Sequence, residues 1–373
     1  MADAKRLVFA GAGHAHLYSL ARLDRFARRG IPVTVISPAA FWYSGMGPGL
    51  LSREYESGDA SVDVRAMVEK GGGRFMEDRV ASIHADRRYV VTTGGERVPY
   101  EALSLNVGSE VTALPVGAGN DRLYTVKPVS RLLELRQEIL RFELGRVVRI
   151  MIAGGGPAGC EAAANALALC LRHGREASIR LVAGGNRLLP DLPEAAGERM
   201  ADWCRRNGII FDTGRRVSGF DGDAVLFEGG LREAADFLLL ATGVHPPDLL
   251  KRSDLATDGE GALVVDGHLQ AVSHPGVFGA GDCIRFEPMP LARVGVYAVR
   301  QAPVLFANLL ASLLGGPMRV FRPQRRFLLI LNLGDGTGLL SRGGFVTSGR
   351  MAFRIKDWLD RRFMRRFHSA PGR

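Results

Sequence analysis

Residues 9–17 read FAGAGHAHL, and the reading of that stretch decides the fold. Before it, RLVFA (6–10) is a short apolar run of β type. After it, LYSLARLDRFARRG (17–30) places apolar residues at helical spacing and stops on a glycine, and IPVTVIS (31–37) is a second β-type run. Strand, glycine turn, helix and strand make one βαβ unit. The turn is most of a dinucleotide fingerprint, G-x-G-x-x-G, with His16 in the third glycine position. Such glycines serve a tight turn and close approach to a pyrophosphate, which meets the free N–H groups of the helix N-terminus. The alternative is a His-x-His pair holding a metal. If a helix starts near residue 13, His14 and His16 point about 200° apart and cannot clamp one ion. No metal site is expected.

The layout recurs at RIMIAGGGPAGCEAAANALALCLRHG (149–174), followed by the strand-like SIRLVAG (178–184). One glycine match is weak evidence, whereas two, each set between a strand and a helix, are strong. The expected fold is α/β, with two Rossmann-like three-layer dinucleotide-binding domains, the second inserted in the first. Residues 1–115 and 246–320 form the first domain, 116–245 the second, and 321–373 a small C-terminal region.

The chain has 373 residues, 46% of them apolar, enough for two or three packed domains. Its net charge of +10 is compatible with nucleic acid, an anionic membrane or acidic cofactors. With no zinc-finger spacing, helix-turn-helix or RNP-like strand, nucleic acid is excluded. Four scattered cysteines, at 160, 170, 204 and 283, suit a reducing compartment, and no signal peptide precedes the first strand, so a cytoplasmic location is expected. The uncharged stretch from Gln301 to Met318 reads as a buried helix ending at Gly315-Gly316.

AVSHPGVFGAGDC (271–283), SLNVGS (104–109) and LLLATG (238–243) complete a pattern that resembles the two-dinucleotide flavoproteins, which include disulfide reductases and type II NADH dehydrogenases. The resemblance spans roughly residues 5–320. It implies non-covalent FAD at Gly11, Gly13, His14, His16, Ser37, Ser44, Gly45, Val80, Gly108, Gly281 and Asp282. It implies NAD(P)H as electron donor at Gly154, Gly156, Pro157, Gly159, Glu161, Arg187 and Gly243. His16 stands where a small residue allows close helix–strand packing, so its helix is expected to stand off its strand or to turn the imidazole outward.

Departures from the family pattern narrow the chemistry. SPAAFWYSGMGPGLLSREYE (37–56) lacks the cysteine pair of a disulfide reductase, and Cys160 and Cys283 have no evident partners, which leaves a sulfide:quinone reductase-like enzyme a minor alternative. GAGHAH, WYSGMGPGL (42–50) and GVYAVRQAPVLFANL (295–309) together resemble a type II NADH dehydrogenase-like module often fused ahead of selenophosphate synthetase. That resemblance implies a quinone-like acceptor, with Gln301 matching one pocket glutamine and Tyr297 standing in place of the other. Glu161 matches an acid near the nicotinamide, although it can equally serve its helix dipole. No acid follows SIRLVAG, so Arg187 either meets a 2′-phosphate, favouring NADPH over NADH, or is solvated on its loop.

The C-terminal region is expected to be a β-hairpin followed by a basic amphipathic helix. Met351, Ile355, Trp358, Leu359, Phe363 and Phe367 share one face, with arginines flanking it. Such a helix either anchors at an anionic membrane surface or docks on the protein's own body or on a homodimer partner. A flavin-containing binding or sensor protein linked to selenium metabolism is the competing reading.

Overall fold

In a computed structural model, residues 5–38, 40–114 and 121–368 are described. The boundary expected at 115/116 lies outside them. Strands β1 (Leu7–Ala10), β2 (Val33–Ser37), β3 (Arg74–Glu77) and β4 (Ala102–Leu105) form one parallel sheet with a later strand, Val277–Gly279. Helix α1 (His14–Leu20) leaves the sheet at its central strand, β1.

The second sheet repeats this plan. Strands β5 (Leu123–Thr125), β6 (Val148–Ala153), β7 (Ala177–Ala183), β8 (Ile210–Thr213) and β9 (Phe237–Leu240) run parallel in the order β5-β9-β6-β7-β8. Helix α2 (Pro157–Arg172) leaves the central strand, β6. Each unit also carries a three-stranded antiparallel meander, at 80–99 and 217–234. The first sheet closes with β10 (Val277–Gly279), beside β4. The parallel strands are apolar on both faces because both are covered: in the second sheet, helices pack over Ile150, Ile152 and Leu181, and Phe220, Val225 and Phe227 of the meander pack over Met151, Val182 and Leu238. This is the expected α/β architecture, with the second sheet lying in sequence between β4 and β10 of the first.

Helix α3 (Gly295–Leu314) is long and apolar enough by composition to cross a membrane. Its Ala298, Leu305, Phe306 and Leu309 are buried in the first unit, against α1, as expected of a core helix. Gly315, in the left-handed region, ends it.

The C-terminal region departs from the expected hairpin. Three antiparallel strands are present, β11 (Leu328–Asn332), β12 (Gly338–Arg342) and β13 (Phe345–Gly349), and helix α4 (Arg350–His368) packs on them. The helix is also rotated from the face read in the sequence. Ala352, Lys356, Asp360 and Met364 point inward, while Met351 and Trp358, 63% and 51% exposed, point out with Ile355 and Leu359. Phe363 and Phe367 lie on the inward flank, packed against the core. The helix therefore docks on the body and still presents an apolar stripe.

Candidate functional site

The first glycine turn is built around Asn106, at the end of β4. A Cβ on Gly11 would stand 2.5 Å from the Asn106 carbonyl oxygen, and one on Gly13 would stand 2.4 Å from its Oδ1. The Asn106 side chain accepts from Ala15 N (3.0 Å) and donates to Ala280 O (2.6 Å), tying α1 to the turn after β10. Gly13 caps α1 with no side-chain hydrogen bond, and with Ala15 N on Asn106 and His16 N on Gly13 O, the His14 N–H is the first-turn donor left to face the cradle. Ser37 ends β2, Ser44 and Gly45 lie in a single 3₁₀ turn, Val80 opens the first meander, and Gly108 follows β4 in a left-handed conformation.

His16 departs from the expectation. Its imidazole turns inward, with Nδ1 2.5 Å from Gly11 O and Nε2 2.8 Å from Ser104 Oγ, and edge-on to Phe9. Both ring nitrogens are engaged, so the residue is a structural bridge between turn and sheet, with none left for a cofactor. Burial lowers its pKa to about 4, which keeps it neutral. His14 is lowered to about 4, again by burial, and sits among Phe41, Tyr43 and Phe363.

Asp282 lies at the mouth of this cradle. Its Oδ2 accepts from Lys127 Nζ (2.7 Å) and Ser109 Oγ (2.8 Å). Burial pushes its carboxyl up, but Lys127 and the two hydrogen bonds outweigh that and leave the pKa below the ordinary value. Gln301, read as an acceptor-pocket residue, instead lies under this turn, with Oε1 accepting from Gly281 N at 2.8 Å. Tyr297 is buried beneath residues 324–327, its hydroxyl donating to Gln324 O and its ring edge-on to Phe327. Each of the two side chains thus has an internal hydrogen-bond partner.

The second turn is closer-packed. A Cβ on Gly154 would stand 2.2 Å from Ala241 O, and one on Gly159 only 1.8 Å from Gly154 O, so helix α2 abuts its own turn. Gly156 caps α2 without a side-chain bond and Pro157 occupies its first turn, where a missing N–H costs nothing. Beside Gly243, the Thr242 hydroxyl is buried with no hydrogen-bond partner, a donor left for a ligand. Arg187 does not fit either role read for it. Its guanidinium donates to the carbonyls of Leu189 (2.9 Å), Pro190 (2.6 Å) and Leu192 (2.7 Å), so it organises its own loop and is neither solvated nor free for a phosphate.

Where the two units meet the C-terminal cap, α4 delivers two buried charges. Lys356 and Asp360 side chains are 8% and 9% exposed and paired at 2.7 Å. Lys356 Nζ also donates to Gly45 O (2.7 Å), and the Tyr43 hydroxyl donates to Asp360 Oδ1 (2.9 Å). Burial lowers the Lys356 pKa, but Asp360 and Glu161 more than offset this and keep it charged. Glu161 accepts from Asn332 N (2.7 Å), and burial, opposed by Lys356, brings its pKa up to about 7. Its role is therefore in this network as much as at the N-terminus of α2.

The family model of the pyridine nucleotide-disulphide oxidoreductases matches residues 5–302. The chain belongs to this family. It is similar to ferroptosis suppressor protein 1 of Taeniopygia guttata, 24% identical over 89% of this chain and 88% of that one. Its fold is similar to that of the sulfide:quinone oxidoreductase of Aquifex aeolicus, with a TM-score of 0.81 at 17% identity over 99% and 93% of the two chains. It is likewise similar to NDH2 of Plasmodium falciparum in complex with NADH, at 0.78 and 14% over 98% and 99%.

As a pyridine nucleotide-disulphide oxidoreductase family member, the protein uses FAD, with NAD(P)H as donor. The two cradles, in which an added Cβ would strike backbone, fit these groups. The disulfide chemistry in the family's name finds no support among the cysteines. All four are buried and free, and burial raises the thiol pKa of each. Sequence reasoning missed Asn106, Ser109, Lys127, Tyr43, Asn332, Lys356 and Asp360. Asn106 and Ser109 lay inside the quoted SLNVGS, but nothing in the local pattern around Lys356 announces a buried ammonium.

Proposed function

We propose that this oxidoreductase passes electrons from NAD(P)H through FAD to a quinone-like acceptor at an anionic membrane surface. The observation that carries the reading is helix α4. One face brings Lys356 and Asp360 to the FAD-loop residues Tyr43 and Gly45, and the other exposes Met351, Ile355, Trp358 and Leu359, joined by Phe345, which is 62% exposed. Arg354, Arg362, Arg365 and Arg366 are exposed on the same helix, and the guanidinium of Arg362 lies 5.0 Å from the Trp358 ring. An apolar stripe rimmed by arginines suits a bilayer interface, and the net charge of +10 adds attraction to anionic lipid.

A bound flavin supplies hydride acceptance and onward electron delivery. The protein's part is positioning and proton handling. Gly154, Gly156 and Gly159 let the nucleotide approach the backbone at α2, and Gly11, Gly13 and Gly281 do the same for FAD at α1. Quinone reduction consumes protons, and Tyr43, Lys356 and Glu161 hold three at the inner end of the cap, with Glu161 titrating near neutrality.

The test is anaerobic reduction with one equivalent of NADPH or NADH, followed by a soluble short-chain quinone. Bleaching of the visible flavin band and its rapid return on quinone addition are expected. A reduced flavin indifferent to quinone would refute the acceptor. Flotation with anionic vesicles tests the surface: Ile355→Ser with Trp358→Ser should abolish it. If the double variant floats unchanged, or gel filtration shows a dimer that it dissolves, the stripe is not a membrane face.

A further inference from the structure

The protein's donor site lacks both groups that usually read the adenosine ribose. NADH users end the second strand of the unit with an acid that accepts from the ribose hydroxyls, whereas NADPH users place an arginine nearby for the 2′-phosphate. Here β7 ends in Ala183, which is buried. Beyond it come Gly184, Gly185 and Asn186, with no carboxylate, and the arginine that follows, Arg187, is fully spent on the carbonyls of its own loop.

The neighbouring loop supplies what this one lacks. After β8, Gly214 N donates to Gly185 O (2.7 Å) and Arg215 N to Ala183 O (3.2 Å), so residues 214–216 are laid along the end of β7. The two arginines there differ. Arg215 is held by Glu233 at 3.1 Å and lies over the Phe227 ring. Arg216 is exposed, and among the described residues no carboxylate pairs with it. Its side chain lies across Gly184: a Cβ there would be 3.3 Å from Arg216 Cγ and 3.7 Å from its guanidinium carbon. A bare glycine at this point lets an arginine from the next loop lie where the acid is missing.

We propose that Arg216 receives the 2′-phosphate of NADPH and makes NADPH the preferred donor. This rests on the donor site at the Gly154–Gly159 turn and adds its specificity. A guanidinium held by its neighbours' backbone bonds and free of an internal anion has both the charge and the donors for a phosphate. Glutamate at this position would repel it.

The experiment measures calorimetric binding of adenosine 2′,5′-bisphosphate and of 5′-AMP to the flavin-loaded protein, which reads the adenosine end without any turnover. The wild type should prefer the bisphosphate by roughly ten- to hundredfold. Arg216→Ala should bind both alike with 5′-AMP affinity unchanged, Arg216→Lys should recover part of the preference, and added salt should erode it in the wild type. The KM for NADPH should rise in Arg216→Ala while that for NADH stays put. A wild type that binds the two equally, or an alanine variant that keeps the preference, overturns the assignment of Arg216 and leaves the donor site standing. A wild type that binds neither, with a flavin that neither nucleotide reduces, overturns the donor site itself.

Discussion

The two glycine turns occupy equivalent places in equivalent sheets, yet they solve the third position of the fingerprint in opposite ways. At Gly159 the helix is pressed so close that any Cβ would collide with Gly154 O. At His16 the matching carbonyl, Gly11 O, is met by an imidazole nitrogen, and the ring reaches on to Ser104 of the neighbouring strand. One turn is closed by contact and the other by a hydrogen-bonded spacer. Two residues further along, the second turn carries the half-buried acid Glu161 and the first carries Tyr18. A fingerprint therefore fixes the need for a backbone cradle but not how the helix is held against it.

The largest effect should come from breaking the closed turn. Gly159→Ala forces α2 away from Gly154, and a displacement near 1 Å is enough for a loss of about a hundredfold in flavin reduction by NAD(P)H. Dithionite should still bleach the flavin, and stopped-flow absorbance distinguishes the two. If Gly159→Ala is reduced at the normal rate, the claimed contact is wrong. At the first turn, His16→Ala leaves a void and strips Gly11 O and Ser104 of a partner, a loss of about 2–4 kcal/mol. A lower melting temperature and poorer FAD retention are expected, with the remaining holoprotein still reduced normally.

The pH responses of the two turns should have opposite signs. Unfolded histidines protonate below about 6.5, but His14 and His16 in the fold do so only near 4. Between those values the unfolded chain binds more protons, so the first unit loses stability as pH falls. Glu161 is raised to about 7, so from the ordinary carboxylate range upward the folded state binds the extra proton and stability declines as pH rises. Denaturant melts across pH should show His16→Asn flattening the acid limb and Glu161→Gln the neutral one, each by about 1–3 kcal/mol. In Glu161→Gln, the inflection near neutrality in the rate of quinone reduction should also vanish. The smallest effect belongs to the outer face of α4, where Trp358→Ser should change stability by no more than about 0.5 kcal/mol while weakening vesicle binding.

Much of the fold was legible because the glycine turns, the helix periods and the G-x-G-D strand are local signals. The site was less so. His16 looked like a misfit because the sequence does not show Ser104 lying across from it, and Arg187 looked free because the sequence does not show its loop curling the carbonyls of Leu189, Pro190 and Leu192 onto it. Gln301 and Tyr297 share a helix face that the sequence could not orient. α4 was misread by rotation: its apolar residues span a wide arc, and the strongly polar pair Lys356–Asp360 turns inward because Tyr43, Gly45 and Glu161 are there to satisfy it. A sequence pattern favours burying Trp358, whereas long-range partners decide otherwise.

The most direct test of the central claim is NAD(P)H consumption by the flavin-loaded protein with anionic vesicles that carry, or lack, quinone in the bilayer. Turnover is expected only with quinone-loaded vesicles, and it should collapse in the Ile355→Ser, Trp358→Ser double variant while that variant keeps its rate with soluble quinone. Equal turnover on loaded and empty vesicles would contradict a quinone acceptor at the membrane.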